Sequence, residues 1–162
     1  DALQDAPKNA ITDSACQSYL MLTRPTDELS LHKLQLNYLN QVNTLLAASH
    51  WAELPFTQYD CAIDLDLDLR QECILANRNY FAVIETNGAR LTHLFHGEHQ
   101  LVGPTAQFTI GLSDPSEWNK IPGDGADPGQ IMGAFADEID PFQEYAASWS
   151  EPDTLTLIFH LF

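Results

Sequence analysis

Basic residues are scarce in this sequence. Its 162 residues include 7 Lys and Arg against 23 Asp and Glu, which gives a formal net charge of −16 at pH 7. Binding to DNA, RNA or an anionic membrane depends on cationic side chains, and an acidic surface repels phosphate. The composition therefore argues against nucleic acid and membrane partners. High solubility, a saline habitat and attraction of cations are the interpretations that remain.

Long apolar segments are also missing. No apolar run approaches the roughly 20 residues that a membrane-spanning helix requires, so we expect no such helix. The sequence begins at Asp1 without a signal peptide and ends inside an apolar segment, residues 155–162. Because a natural terminus rarely stops flush with a core strand, we expect a longer native polypeptide, with a signal removed or further domains attached.

Sequence signatures of catalysis are missing as well. Ser113 follows Gly-Leu and precedes Asp-Pro, so it lacks the second glycine of a nucleophile elbow. The glycine-rich segment 123–129 lacks the lysine of a phosphate-binding loop. Acid pairs such as Asp137 or Glu138 with Asp140 suit glycoside hydrolysis, but among 23 acids some pair meets the required spacing by chance. We therefore predict no catalytic residue in this chain.

The three cysteines are Cys16, Cys61 and Cys73. An odd number allows either one disulfide with a free thiol or three reduced thiols packed as small apolar side chains. Cys61 and Cys73 are the natural pair, since their bridge would close a short loop and contribute on the order of 3 kcal/mol in the chain-entropy account. The cysteines alone leave the redox compartment open.

Apolar residues make up 44% of the chain, which is typical of a folded globular domain. In the first third their spacing is helical. A weak capping box, Ser14 with Gln17, predicts a short helix through Met21. A second helix should end near Trp51, a residue that we expect in the core. It is predicted by apolar residues three or four positions apart: Leu31, Leu34, Tyr38, Val42 and Leu45.

Beyond about residue 63 the apolar period changes from 3.6 to 2, which indicates strands. The clearest unit is a hairpin in which Asn87-Gly88 joins two β-rich runs, because both turn positions favour positive φ. Further strands are predicted over 107–112 and 154–162, with an acidic, turn-rich surface over 113–153. The two-residue turn predicts three cross-strand pairs: Ile84 with Leu91, Glu85 with Arg90, and Tyr80 with Phe95.

Together these patterns predict an α+β fold. We expect a short helical segment, residues 1–56, to pack on an antiparallel, β-sandwich-like sheet formed by residues 57–162, in one compact unit. A fragment of a mostly β supersandwich is the alternative interpretation.

The most specific local pattern is the acidic segment 64–72. The carboxylates of Asp64, Asp66, Asp68 and Glu72 fall at loop positions 1, 3, 5 and 9, a spacing that can surround Ca²⁺ with oxygen ligands. Leucines alternate with these acids as in a half-buried strand, and Leu69 occupies position 6, where calcium loops favour glycine. Against a strand, stacked aspartates repel each other and Asp is a poor strand former. A calcium loop and a solvated strand or loop both remain open.

Two further groups of side chains suit ligand binding. His93, His96 and His99 carry imidazoles that can bind zinc. His93 and His96 would point to opposite faces of a strand, so a surface strand end followed by a loop explains them more simply. Trp118 and Trp149 lie in polar surroundings and are candidates for stacking on sugar rings, with a core or loop-anchor role as the alternative.

Several short motifs carry a resemblance to one protein family, and the stretch over which they are spread, residues 47–137, is about half of this chain. They are Ala47-Ala48-Ser49-His50-Trp51, Cys61 with the acidic set that follows it, Ile74-Leu75-Ala76-Asn77, Asn87-Gly88-Ala89-Arg90-Leu91 with Leu94-Phe95, Val102-Gly103-Pro104, Gly111-Leu112-Ser113-Asp114-Pro115-Ser116 with Trp118, and Gly133-Ala134-Phe135-Ala136-Asp137. In these motifs the chain resembles the β-rich region downstream of the catalytic barrel in large bacterial proteins of the glycoside hydrolase family 57 type, the α-glucan-acting amylases and their relatives.

The resemblance implies a non-catalytic accessory β-sandwich with a helical lead-in, in a secreted or periplasmic carbohydrate-active protein. Such a domain supports the catalytic domain or contacts polysaccharide, so its expected partners are other domains of the parent chain and polysaccharide. The family's catalytic carboxylates lie upstream in the barrel, and no residue here inherits them. Leu67 and Leu69 replace glycines that the family pattern leads us to expect, which weighs against Ca²⁺, the candidate cofactor.

Two other functions fit the sequence. One is a free-standing acidic hydrolase, a glycosidase or an esterase, whose site carries no recognised motif. The other is a structural or protein-interaction domain without a ligand. Turnover of starch or chromogenic glycosides by the isolated domain identifies the first, and retention in gels containing soluble glucans separates a sugar-binding module from the second.

Overall fold

A computed structural model describes residues 2–23, 25, 29–67, 69–86, 88–103, 145–149 and 157–161. Within these ranges the chain forms three helices followed by seven strands. The helices are α1 (Ala2–Asp5), α2 (Ala10–Leu22) and α3 (Leu29–Glu53). The strands are β1 (Gln58–Ile63), β2 (Glu72–Ala76), β3 (Tyr80–Glu85), β4 (Arg90–His96), β5 (His99–Val102), β6 (Tyr145–Trp149) and β7 (Leu157–Leu161). None of the helices in the described ranges has the length and apolar character needed to cross a membrane.

Helix α2 begins earlier than the sequence pattern predicts. Its N-cap is Asn9, whose side-chain oxygen accepts hydrogen bonds from the backbone N–H groups of Ile11 and Thr12. Asn is among the best N-cap residues because its short side chain reaches these unpaired donors. The predicted capping box at Ser14 is wrong, since Ser14 lies inside the helix and its hydroxyl donates to the carbonyl of Ala10 at 3.1 Å.

The long helix α3 confirms the second predicted helix and packs against α2. The Thr12 and Ser49 hydroxyls are 2.6 Å apart across this contact, and the Asn9 amide donates to the Ser49 carbonyl at 3.1 Å. Ser49 is fully buried, so these hydrogen bonds satisfy polar groups that would otherwise be costly to bury. They also fix the start of α2 beside the last turns of α3.

The strands form two separate antiparallel sheets. Five strands lie in sequence order, β1-β2-β3-β4-β5, and the remaining two form the hairpin β6–β7. Helices followed by an antiparallel sheet confirm the predicted α+β class. β6, Tyr145–Trp149, lies within the stretch 113–153, which the sequence predicted to be a turn-rich surface, so this strand was missed. The predicted strand over 154–162 is confirmed at Leu157–Leu161, and the one over 107–112 lies outside the described residues.

The β3–β4 hairpin follows the predicted register only near its turn. Glu85 pairs with Arg90 and Ile84 with Leu91, as the two-residue turn predicts. The next pair is Val83 with His93, which leaves Thr92 as an extra residue in a β-bulge. The predicted pairing of Tyr80 with Phe95 is therefore wrong: Tyr80 pairs with His96, and Phe95 pairs with Phe81. The one-residue shift places Phe95 on the face that carries Phe81, because side chains alternate along a strand.

The main core lies between α3 and this face of the five-stranded sheet. Trp51 is fully buried, as expected, and its ring centroid is 5.8 Å from that of Phe81. Its indole N–H donates to the Asn77 carbonyl at 2.7 Å, so the polar edge of the ring is satisfied inside the core. Phe81 packs edge-on against Phe95, with 6.3 Å between the centroids. Alternate residues of the central strands thus supply the apolar face that α3 covers.

Candidate metal centre

The acidic segment forms a loop, not a strand. β1 ends at Ile63 and β2 begins at Glu72, and the described residues between them form a series of bends. Ile63 and Leu65 pack partly against the core, while Leu67 and Leu69 are 69% and 92% exposed. The strand alternative is therefore wrong over the described residues of this segment. Asp68, the third predicted ligand, lies outside the described residues.

Three of the four predicted metal ligands converge in this loop. Asp64, Asp66 and Glu72 each offer one carboxylate oxygen, and these oxygens all lie within 4.8 Å of one another. Asp66 and Glu72 are only 6% and 1% exposed. Carboxylates this close repel each other, and a bound cation offsets that repulsion. The group can hold a metal ion.

Backbone N–H groups of the loop fix the carboxylates from one side. The Leu65 N–H donates to Oε2 of Glu72, and the Leu69 N–H donates to Oδ2 of Asp64 at 3.2 Å. The other oxygen of Asp64, Oδ1, is buried and accepts no hydrogen bond from the described part of the chain. A buried carboxylate oxygen is costly without a partner, and a cation is one partner that suits it.

The backbone conformation explains how the loop forms without glycine. Leu67 and Leu69 have φ of 67° and 74°, the left-handed region that glycine adopts without penalty. These are the two positions where the family resemblance led us to expect glycine. Each leucine costs roughly 1–2 kcal/mol of backbone strain there, yet the chain turns as a glycine would allow. The leucines therefore do not weigh against a cation loop as the sequence suggested.

A row of buried charges adjoins the loop. Glu72 is the register partner of Glu85, which in turn pairs with Arg90 on the other side. All three are at most 2% exposed. Sequence reasoning found the Glu85–Arg90 pair but missed its burial and the carboxylate beside it. The alternation of side chains contained the information, because Glu85 lies two residues after Val83 and so shares its core face.

A disulfide joins the strands on both sides of the loop. Cys61 of β1 is bonded to Cys73 of β2, which confirms the pair favoured from the sequence. Cys16 is a free, half-buried cysteine. Cys73 directly follows the candidate ligand Glu72, and Cys61 lies three residues before Asp64. The bridge therefore closes the loop that carries the carboxylates.

Within the described part of the chain, His93, His96 and His99 do not converge on a metal site. His96 and His99 are exposed register partners, as a surface strand end predicts. His93 contradicts that prediction, since it is only 6% exposed and lies parallel to the ring of Phe95. Loss of hydration on burial lowers the pKa of His93 from 6.5 to about 4. The β-bulge at Thr92 accounts for this difference, because it turns His93 to the core face.

Among the remaining candidate residues, Trp149 lies within the described part of the chain. Trp149 is the last residue of β6. Trp118 and the acids Asp137, Glu138 and Asp140 lie outside the described residues, as does the glycine-rich segment.

Comparisons with protein-family models, curated proteins and solved structures found no match for this chain. Its function is inferred from the chemistry of its own residues together with the motif resemblance.

Proposed function

We propose that this chain is a non-catalytic accessory module of a secreted carbohydrate-active enzyme, stabilised by a Ca²⁺ ion bound at Asp64, Asp66 and Glu72. The carboxylate cluster carries the proposal: three oxygens lie within 4.8 Å of one another in a loop anchored at both ends by strands. The formal charge of −16 adds a long-range attraction for cations.

The chemistry of the donor set favours calcium over other metals. The three side chains offer only carboxylate oxygens, which are ligands for hard cations, whereas zinc sites draw on Cys and His. Ca²⁺ accepts an irregular shell of six to eight oxygens that includes backbone carbonyls, and a bent loop can supply these. Mg²⁺ demands near-ideal octahedral geometry and usually retains several waters.

Two observations support an accessory role. The motif string resembles the β-rich region of amylase-type proteins, where catalysis takes place in another domain. Two acids of the carboxylate cluster, Asp66 and Glu72, are 6% and 1% exposed, so a substrate has little direct access to them. The Cys61–Cys73 disulfide is compatible with an extracellular location, since such bonds persist in oxidising compartments.

Thermal unfolding of metal-free protein tests the calcium site. Ca²⁺ at a hundredfold excess over its Kd should add about 2.7 kcal/mol of stability, a rise in Tm of roughly 5–10 °C. Asp66→Asn should abolish the rise. Glu53→Gln, which removes one exposed negative charge at the end of α3, should retain it. An unmoved transition in millimolar Ca²⁺ would refute the calcium site.

Activity and retention assays test the accessory role separately. The purified chain should not turn over starch or chromogenic glycosides, and it should be retarded in gels that contain soluble glucan. Turnover would replace the accessory proposal with the free-standing hydrolase. Migration unaffected by any glucan would leave a structural role within the parent protein.

A further inference from the structure

A cleft of about 530 Å³ lies between the acidic loop and the β6–β7 hairpin. Its lining includes Arg70 and Gln71 of the loop. Thr86, which directly follows β3, and Tyr145, the first residue of β6, also line it. A volume of this size falls in the range of small-ligand sites, which span roughly 300–1,000 Å³. The cleft is distinct from the carboxylate cluster, because none of the three acids lines it.

Hydrogen bonds hold the walls of the cleft together. The Thr86 hydroxyl donates to the Gln71 carbonyl at 3.1 Å, and the Tyr145 backbone N–H donates to the Thr86 carbonyl at 3.2 Å. Thr86 therefore connects the loop to the hairpin. The Tyr145 ring packs edge-on against Phe159 of β7, with 6.0 Å between the centroids. These contacts give the cleft a defined shape before a ligand arrives, which reduces the entropy cost of binding.

Four of the lining residues carry a guanidinium, a carboxamide, a hydroxyl and a phenol, and the others are Cys61, Leu69, Ala146 and Ala147. Such groups supply both donors and acceptors, as the neighbouring hydroxyls of a sugar ring require, and a tyrosine ring can cover an apolar sugar face. The formal charge of −16 disfavours anionic ligands at long range. We propose that this cleft binds a neutral sugar residue of a glycan. The inference rests on the proposed carbohydrate function and gives it a location.

The acidic loop connects the cleft to the proposed calcium site. The Leu69 N–H donates to Asp64, and Leu69 is followed directly by the cleft residues Arg70 and Gln71. A cation that fixes Asp64 therefore also restricts this wall of the cleft. Sugar binding is then tighter with Ca²⁺ present, and by linkage the sugar tightens Ca²⁺ binding by the same factor.

Calorimetric titration of the whole chain with maltoheptaose, cellohexaose and tetragalacturonate tests the inference, with Ca²⁺ and with chelator. At least one neutral oligosaccharide should bind, more tightly with Ca²⁺. Gln71→Ala should weaken that binding about tenfold, the loss expected for a hydrogen bond of about 1.4 kcal/mol. Gln4→Ala, an exposed glutamine in α1, should bind as the wild type does.

The outcomes separate the cleft from the calcium site. Gln71→Ala should keep the full rise of Tm in Ca²⁺, which shows that the variant is folded and its cation loop intact. If Tm rises in Ca²⁺ but neither neutral oligosaccharide binds, the cleft inference is overturned and the calcium site stands. Equal affinity of Gln71→Ala and wild type, or binding of tetragalacturonate alone, also overturns it. Sugar binding without any effect of Ca²⁺ on Tm refutes the calcium site and the coupling.

Discussion

Glu72 of β2 and Glu85 of β3 lie directly opposite each other and are both nearly inaccessible to solvent. Two buried carboxylates repel, so their charged forms depend on nearby cations. Arg90, the register partner of Glu85, is 2% exposed and is the cation nearest to them in the pairing of the strands. This row places buried charges at one end of the sheet, next to the hydrophobic core.

Replacing Arg90 should destabilise the fold strongly. Arg90→Gln removes the buried cation that is the register partner of Glu85, and removing one member of a buried charge pair costs about 3–5 kcal/mol. Urea unfolding at neutral pH measures the loss. Arg78→Gln, which removes an exposed arginine before β3, should leave the midpoint unchanged. Similar midpoints for the two variants would show that Arg90 does not stabilise the buried acids.

Leu69→Gly should stabilise the protein, although it removes a large side chain. Leu69 is 92% exposed and has a φ of 74°, so it contributes little packing and bears backbone strain. Replacement by glycine relieves this strain but adds entropy to the unfolded chain. The net gain in the free energy of unfolding should be about 1 kcal/mol. Chemical unfolding in Ca²⁺ measures the gain.

The matched control for Leu69 is another exposed leucine. Leu54→Gly changes a residue that is 77% exposed and does not have a positive φ. It should lower stability slightly, because glycine adds freedom to the unfolded state without relieving strain. Destabilisation of both variants by the same amount would contradict the strain at Leu69.

The β3–β4 hairpin shows how far sequence reasoning reaches. The turn chemistry predicted two pairs correctly, Glu85 with Arg90 and Ile84 with Leu91. It missed the extra residue, Thr92, because a bulge depends on which face of β4 the helix covers. The bulge places Phe95 against Phe81 in the core. This is a tertiary contact, so a local sequence pattern does not predict it.

The acidic loop shows the same limit. Its composition predicted the ligand set, and three of the four residues meet within 4.8 Å. The leucine alternation that suggested a strand is real in the sequence, but only Leu65 faces the core, since Leu67 and Leu69 turn outwards. Local propensity disfavours a leucine with positive φ, so the sequence alone could not decide between loop and strand.

His93 should make stability depend on pH. Its pKa of about 4, against 6.5 when unfolded, means that the unfolded chain binds the proton more readily. Neutral His93 therefore contributes to the free energy of unfolding in full above pH 6.5. As pH falls from 6.5 towards 4 this contribution is lost, and the total loss is about 3 kcal/mol. Urea unfolding of wild type and His93→Gln across this range measures it.

Comparison of His93→Gln with the wild type separates the effect of His93 on the pH dependence of stability from the effects of other ionisable groups. His93→Gln should lose less stability than the wild type between neutral pH and pH 4.5. His99→Gln, which changes an exposed histidine of β5, should show the wild-type dependence. Parallel curves for all three proteins would show that protonation of His93 does not oppose folding.

Opening the Cys61–Cys73 disulfide should weaken both stability and cation binding. The bond joins cysteines that are 12 positions apart in the sequence, and the segment between them contains Asp64, Asp66 and Glu72. In the chain-entropy account its loss costs about 3 kcal/mol of stability. The carboxylates must then be gathered from a more mobile loop, so a Cys61→Ser/Cys73→Ser double variant should bind Ca²⁺ with a higher Kd. Calorimetric titration of the folded variant at low temperature measures this.

Cys16→Ser provides the control for the loss of a sulfur atom. Cys16 is free and lies in α2, outside the carboxylate loop, so its replacement should leave the Kd for Ca²⁺ unchanged. Linkage gives a reciprocal equilibrium test: saturating Ca²⁺ should raise the ratio of reduced to oxidised dithiothreitol that is needed to open half of the wild-type disulfide, because the ion favours the loop geometry of the bonded state. Asp66→Asn should abolish that protection while the disulfide stays intact. If the double variant binds Ca²⁺ as tightly as the wild type, the strands β1 and β2 alone position the ligands.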